Sequence, residues 1–242
     1  MARKTTSRKK GSAPKRRRFA LPAALRKWLR RGVWAFVVLF AISLIWPRFL
    51  PTPYGPYMMA ERLRLGGISH DWVAMEKIAP DMARSVVAAE DANFCRHWGF
   101  DMSAIRAALA NGATRGGSTI SQQTVKNVYL WQGRSWPRKV IEAAITPLAE
   151  VLWPKRRMLE IYLNIAEFDE GVFGVEAAAQ HYYNVRAKDL SAVQSARLAV
   201  LLPNPKERDP RNLSKNLRAR AAQVLDGAAT IQADGRSDCF DS

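Results

Sequence analysis

A chain of 242 residues can bury one sizeable core, and a formal net charge of +17 would ordinarily point to nucleic acid or an anionic membrane surface. The distribution of charge excludes a duplex-binding domain. Residues 1–31 hold 13 of the 38 Lys and Arg and no acid, which leaves 25 basic against 21 acidic side chains in the remaining 211 residues. No nucleic-acid partner is expected.

The basic arm, 1–31, is rich in Ser, Gly and Pro and reads as disordered. Gly32–Pro47 then runs 16 residues without a charge. As a helix that is roughly 24 Å, slightly short of a bilayer span. Arg30, Arg31 and Arg48 can snorkel outward, and Trp28, Trp34 and Trp46 suit interfacial positions. A cleaved signal is the weaker reading, because the basic region is long and no clear A-x-A site follows. A core helix would not sit behind 13 unopposed cations. The expectation is a single transmembrane anchor over 32–50, with the arm cytoplasmic and everything after Arg48 outside.

Residues 47–57 carry four prolines and one glycine and predict an extended spacer. The expected organisation is a Pro-rich linker over 51–70, a folded domain over 71–228, and a polar tail over 229–242. A body that folds without residues 1–50 follows from it. Helices are predicted at Pro80–Asp91, with Asp81 as N-cap, at Ser118–Leu130 after a Gly-Gly pair, and at Pro137–Trp153, kinked near Pro147. Lys155–Ile165 puts Met158, Ile161, Tyr162 and Ile165 on one face. Ser191–Leu202 opens with a capping box of Ser191 and Gln194, and an amphipathic stretch covers about Asn212–Leu225. Neither a repeat nor a convincing β-hairpin is visible, so the fold class is mostly α. Cys95 and Cys239 leave pairing and two free thiols both open.

Three local patterns carry chemistry. Met82, Val86 and Val87 define an apolar helix face, and Glu90 is the next position along it, where partial desolvation raises a carboxyl pKa. Asp91 and His97 follow. In GGSTISQQTVKN, Gly116–Asn127, Ser118 or Thr119 can cap a helix whose free amides would suit an anion, while Thr119, Gln122, Gln123 and Lys126 place polar donors on neighbouring rows. Arg138 and Lys139 precede Glu142 by four and three residues, the spacing of a surface ion pair or of cations aimed at a departing phosphate.

The order of these segments, followed by EIYLNIAEF (Glu160–Phe168) and GVFGVEAAAQHYY (Gly171–Tyr183), resembles the peptidoglycan glycosyltransferases, a lysozyme-like family found in class A penicillin-binding proteins and as stand-alone enzymes. EDANFCRHWGFD, GGSTISQQTVKN, RKVIE and EIYLNIAEF look like its four ordered motifs, over about residues 70–205. No transpeptidase-like domain follows, so the stand-alone members are the nearer likeness. Trp153-Pro154 and Asp169 depart from the usual Ser and Gly, which touches loop geometry and neither glutamate.

The resemblance implies a lysozyme-like domain behind the anchor, in a bacterial inner membrane with the domain periplasmic. Glu90 takes the position of the general base and Glu142 that of the second catalytic glutamate. Asp91, His97, Ser118, Thr119, Gln122, Gln123, Lys126, Asn127, Arg138 and Lys139 fall at substrate-binding positions. The implied partners are a lipid-linked disaccharide-peptide, the growing glycan strand, membrane lipid, and cell-division or wall-synthesis proteins. No protein metal site is expected, and a divalent cation, Mg or Mn, is compatible with the pyrophosphate. A glycan-cleaving enzyme of similar fold and a non-enzymatic membrane scaffold are the alternatives. The first has no need of a cationic stripe, and the second leaves the placed glutamates unexplained.

Overall fold

The computed structural model describes residues 22–110, 117–133 and 135–241, so the arm up to residue 21 and Gly116 of the glycine pair lie outside it. The chain divides into two units, 1–41 and 42–242. Helix α1, Ala23–Ile45, begins nine residues before the uncharged run, because the preceding Ala, Leu, Arg and Lys are strong helix formers. Its 23 residues make about 35 Å, and it is long and apolar enough to cross a membrane.

The segment after α1 is docked on the body and is not an extended spacer. Leu44 and Pro47 are buried. The Trp153 indole donates to the Leu44 carbonyl at 2.7 Å, and Arg157 donates to the carbonyls of Pro47 at 2.7 Å and Leu50 at 2.5 Å. The end of α1 and the short 3₁₀ turn Trp46–Arg48 leave the carbonyls of Leu44, Pro47 and Leu50 to be satisfied, and these side chains supply the donors. Nor is 51–70 a linker: α2, Pro56–Leu65, opens with Pro at its first position and stops at Gly66 in the left-handed region, and β1, Ser69–His70, follows.

The body then runs α3 (Pro80–Glu90), α4 (Met102–Ala110), α5 (Ile120–Tyr129), α6 (Trp136–Leu152), α7 (Lys155–Ile165), β2 (Glu167–Asp169), β3 (Val172–Phe173), α8 (Val175–Tyr183), α9 (Ala192–Ala199), α10 (Lys215–Ala233) and α11 (Asp238–Asp241). It is mostly α. Helices α3, α9 and α10 pack together, and α5 packs on α6 and α7. Met82, Val86 and Val87 of α3 are fully buried, as the spacing predicts, and eight consecutive residues of α7, Met158–Ile165, are buried.

Asp81 is not the cap of α3. Ala79 holds that position before Pro80, and Asp81 pairs with Arg84 at 3.2 Å. Thr119 does cap α5, in a reciprocal box with Gln122, and Ser191 caps α9 with Gln194 in the same way. The chain stays helical through Pro147.

A small sheet of order β1-β3-β2 departs from the expectation of no hairpin. Strands β2 and β3 are antiparallel, joined through Gly171 at φ +72°. Strands of two and three residues are too short to show an alternating pattern.

The expected polar tail is folded. Helix α10 continues to Ala233, Phe240 of α11 is 1 % exposed, and Cys239 is disulfide-bonded to Cys95 across 144 residues of sequence.

Removal of residues 1–41 is expected to leave the melting temperature of the body unchanged. Removal of residues 1–50 orphans the buried Trp153 indole, a loss of about 1–3 kcal/mol. That corresponds to a fall of roughly 5 °C for a body of this size. Equal melting temperatures for the two truncations would contradict the docking of residues 42–50. Thr119→Ala should cost about 1–2 kcal/mol in denaturant unfolding, through loss of the α5 cap.

Candidate active site

Glu90 ends α3 at the rim of a cleft. Its Oε2 accepts from Gln123 Nε2 at 2.8 Å, and Gln123 Oε1 accepts from the Tyr162 hydroxyl at 3.1 Å. Tyr162 is 2 % exposed, so the three side chains form a line from the core to the cleft. Burial pushes the Glu90 carboxyl above the ordinary glutamate range, offset in part by the Gln123 hydrogen bond and by the charges of Arg220 and Lys126. The apolar spacing of α3 predicts this placement. Only the tertiary contact brings Gln123 to it.

Asp91 lines the same depression as Glu90, but its carboxylate is bonded inward. Its buried Oδ2 accepts the Ile120 backbone N–H at 3.0 Å, and His97 Nε2 lies 2.9 Å from Oδ1. The Thr119 hydroxyl donates to the Gly99 carbonyl at 2.6 Å, and Gln122 Oε1 accepts the Thr119 N–H at 3.1 Å. The N-terminus of α5 is therefore filled by a protein carboxylate and a capping box, and is not the open anion site that its sequence suggests. Asp91, His97, Thr119 and Gln122 hold the wall together from inside.

Ser118, Arg138, Lys139 and Glu142 form the second group. Glu142 is 2 % exposed and accepts from Arg138 Nη1 at 2.7 Å and from Lys139 Nζ. Lys139 also donates to the Ser118 hydroxyl at 3.0 Å, and Arg138 Nε to the Gly133 carbonyl at 2.8 Å. Arg138 is itself buried, so this is an interior ion pair and not the surface pair that i,i+4 spacing usually means.

Lys126 links the two groups. Burial lowers its ammonium pKa, and it feels Glu142, Arg138, Lys139 and Glu90. Among the described residues it makes no ion pair. Asn127, beside it, receives a 3.5 Å contact from Gln132 Nε2.

Two polar depressions, each about 350 Å³, carry these residues. Glu90, Asn93, Asp101, Gly117 and Ser118 line one, and Gln123, Lys126, Asn127, Glu167, Asn204 and Lys206 the other. A carboxylate of raised pKa thus stands beside polar clefts, with an unneutralised cation one helical turn beyond its hydrogen-bond partner. Such a layout can remove a proton at one point and receive negative charge at another.

Among the described residues no group of three His, Cys, Asp or Glu converges as a metal site. Asp91, the acid next to Glu90, already has partners on both oxygens. The donor set does not fit a protein-held cation, and no step is derived through one.

Sequence reading missed Arg220, Tyr162, Asn204 and Lys206. In sequence, Tyr162 stands on the apolar face of its helix and within the fourth motif without a role in the site, and nothing local marks the other three.

Comparison with known proteins completes the description. The transglycosylase family model matches residues 59–229. A biosynthetic peptidoglycan transglycosylase of Jannaschia sp. (strain CCS1) is 59% identical over 220 residues, covering 91% of this chain and 92% of its own. A protein of the same description from Caulobacter vibrioides is 43% identical over 223 residues, with 89% and 97% covered. One from Yersinia pestis is 48% identical over 190 residues, with 74% and 79% covered. By the family model and by its relatives alike, the chain belongs to the transglycosylase family.

Proposed function

We infer that this chain polymerises the glycan strands of peptidoglycan from a membrane-held, lipid-linked disaccharide-peptide. The observation that carries the reading is the Glu90 carboxylate in one polar cleft, hydrogen-bonded to Gln123, which lines the second cleft together with Lys126. Glu90 takes the proton of the 4-hydroxyl of the acceptor's N-acetylglucosamine. The oxygen attacks the anomeric carbon of the growing strand from the face opposite the pyrophosphate. The new β-1,4 bond forms as the old carbon–oxygen bond breaks, and its electron pair leaves on the polyprenyl pyrophosphate. Lys126, with Lys139 and Arg138, receives that charge, and Glu142 fixes the two other cations in place. Ser118, Gln123 and Asn127 offer hydrogen bonds to sugar and phosphate along the cleft.

A membrane setting is supported from two directions. Helix α1 suits a single span, and the basic arm before it favours a cytoplasmic N-terminus with the body outside. Trp136, Val140, Ile141, Leu148 and Val151 form an exposed apolar face on α6, with Phe49 and Leu50 also exposed. Such a face keeps the cleft near the bilayer that holds the lipid substrate. The disulfide agrees with an oxidising compartment outside the inner membrane.

Incubation with lipid-linked precursor is the direct test. Polymer is expected, and digestion of finished wall without polymer would favour a lytic enzyme. Glu90→Gln should lose at least about 10²-fold in rate. The rate of the parent should fall with acid at a pH above that of an ordinary glutamate. The sign for stability is also defined. A carboxyl whose folded pKa is raised costs stability as pH rises through that value, so Glu90→Gln should be at least as stable as the parent at neutral pH and show no advantage at low pH.

Lys126→Met should melt within a few degrees of the parent and lose on the order of 10²-fold in turnover. Arg138→Met behaves differently, because it leaves Glu142 short of a buried partner, at a cost of about 3–5 kcal/mol. Normal polymerisation by folded Lys126→Met would show that the pyrophosphate is held elsewhere.

A further inference from the structure

The family match ends at residue 229, yet the chain continues through the last turn of α10 and all of α11. This stretch is spent on the loop that follows Glu90. Cys239 is bonded to Cys95, five residues past the glutamate. Phe240 packs on Phe94 with ring centroids 6.4 Å apart, and both rings are fully buried. Arg236 Nη1 donates to the Ala92 carbonyl at 3.4 Å, and Asp241 pairs with Arg84 of α3 at 3.5 Å. From within α10, Arg220 Nη2 donates to the Ala89 carbonyl at 3.3 Å, the residue before Glu90.

Residues 91–101 contain only one short 3₁₀ turn, Phe94–Arg96, so the loop has little regular backbone bonding of its own. Its other ties include the Asp91 contacts, the 2.9 Å bond from Asn93 to Asp101, the Thr119 hydroxyl on the Gly99 carbonyl and Lys155 over the Phe94 ring. The single covalent tie from this loop to the rest of the body is the disulfide.

We propose that residues 230–241 form a disulfide-fastened clamp that positions the Glu90 loop, so that full turnover requires the oxidised Cys95–Cys239 pair. Cys95, Cys239 and Phe240 are positioning residues that act through the loop. The inference rests on Glu90 as the base. Closing the clamp removes two electrons and two protons from the thiols, which pass to a disulfide oxidant of the protein dithiol–disulfide class and leave it as a dithiol. Both cysteines are half-buried, within reach of such a reagent and of small reductants. Before oxidation the enzyme is folded in its core and slow. A loop displaced by about 1 Å is enough, since misplacement on that scale costs on the order of 10²-fold.

The test uses the full chain in detergent with lipid-linked precursor, before and after treatment with a phosphine reductant, and again after glutathione disulfide. Circular dichroism at the assay temperature establishes that the reduced protein is folded. We expect kcat to fall by about 10-fold or more with KM within about 2-fold, and to recover on reoxidation. Cys95→Ser, Cys239→Ser and the double variant should share one loss and ignore the reductant. Folded, reduced protein with unchanged kcat and only a lower melting temperature would overturn the proposal, leaving the disulfide as a simple staple. If reduction unfolds the chain, Phe240→Ala with the disulfide intact carries the test: kcat must fall at unchanged KM, and a wild-type kcat sinks the idea. Glu90→Gln in the oxidised state keeps the two readings apart. Polymerisation by that variant removes Glu90 as base, whereas the oxidised-to-reduced ratio of the parent judges the clamp alone.

Discussion

One carboxylate ties the end of α3 to the start of α5. Asp91 accepts the Ile120 amide and holds His97, while Thr119 and Gln122 close the rest of the α5 N-terminus. A negative charge at a helix N-terminus is stabilised by the unsatisfied amides and by the dipole. Because Glu90 is the residue before Asp91 and Gln123 lies three after Ile120, this bond brings those two side chains within hydrogen-bond reach, each lining one of the two polar clefts. Everything chemical about the wall depends on that junction. The side chains that look from sequence like ligand contacts are consumed in building it.

The electrostatics of the second wall follow from burial. Glu142 is sequestered, and Arg138 and Lys139 both donate to it. A lone buried carboxylate would be costly, and a paired one is tolerable. Two cations share one anion, and Lys126 adds a third cation without a counterion of its own. The wall is left with positive charge in excess, at a depth where water screens it poorly. A pyrophosphate is complementary to such a surface.

Both ends of the folded body are secured by reaching back to its centre. At the front, Trp153 and Arg157 capture carbonyls of the proline-rich segment that follows α1. At the back, α11 is fixed to the loop after Glu90 by a ring contact and a disulfide.

The sequence alone determined the apolar N-terminal helix, the helical class and the place of Glu90 at the end of an apolar helix face, because each is written in local periodicity or charge. Sixteen uncharged residues behind a basic arm, and an apolar face leading to a glutamate, need no knowledge of the fold. The ordered motifs added both glutamates and the cationic stripe. Only the tertiary structure decided which polar residues face the cleft and which face inward. Asp91, His97 and Thr119 are ordinary polar letters until the fold sets the loop after α3 against the start of α5. It also decided that Arg138 and Glu142 are buried, that residues 47–57 are docked, and that Cys95 meets Cys239. The physical reason is common to all of these: burial, and pairing between segments that lie apart in sequence, are properties of packed surfaces, and no local pattern encodes which surfaces meet.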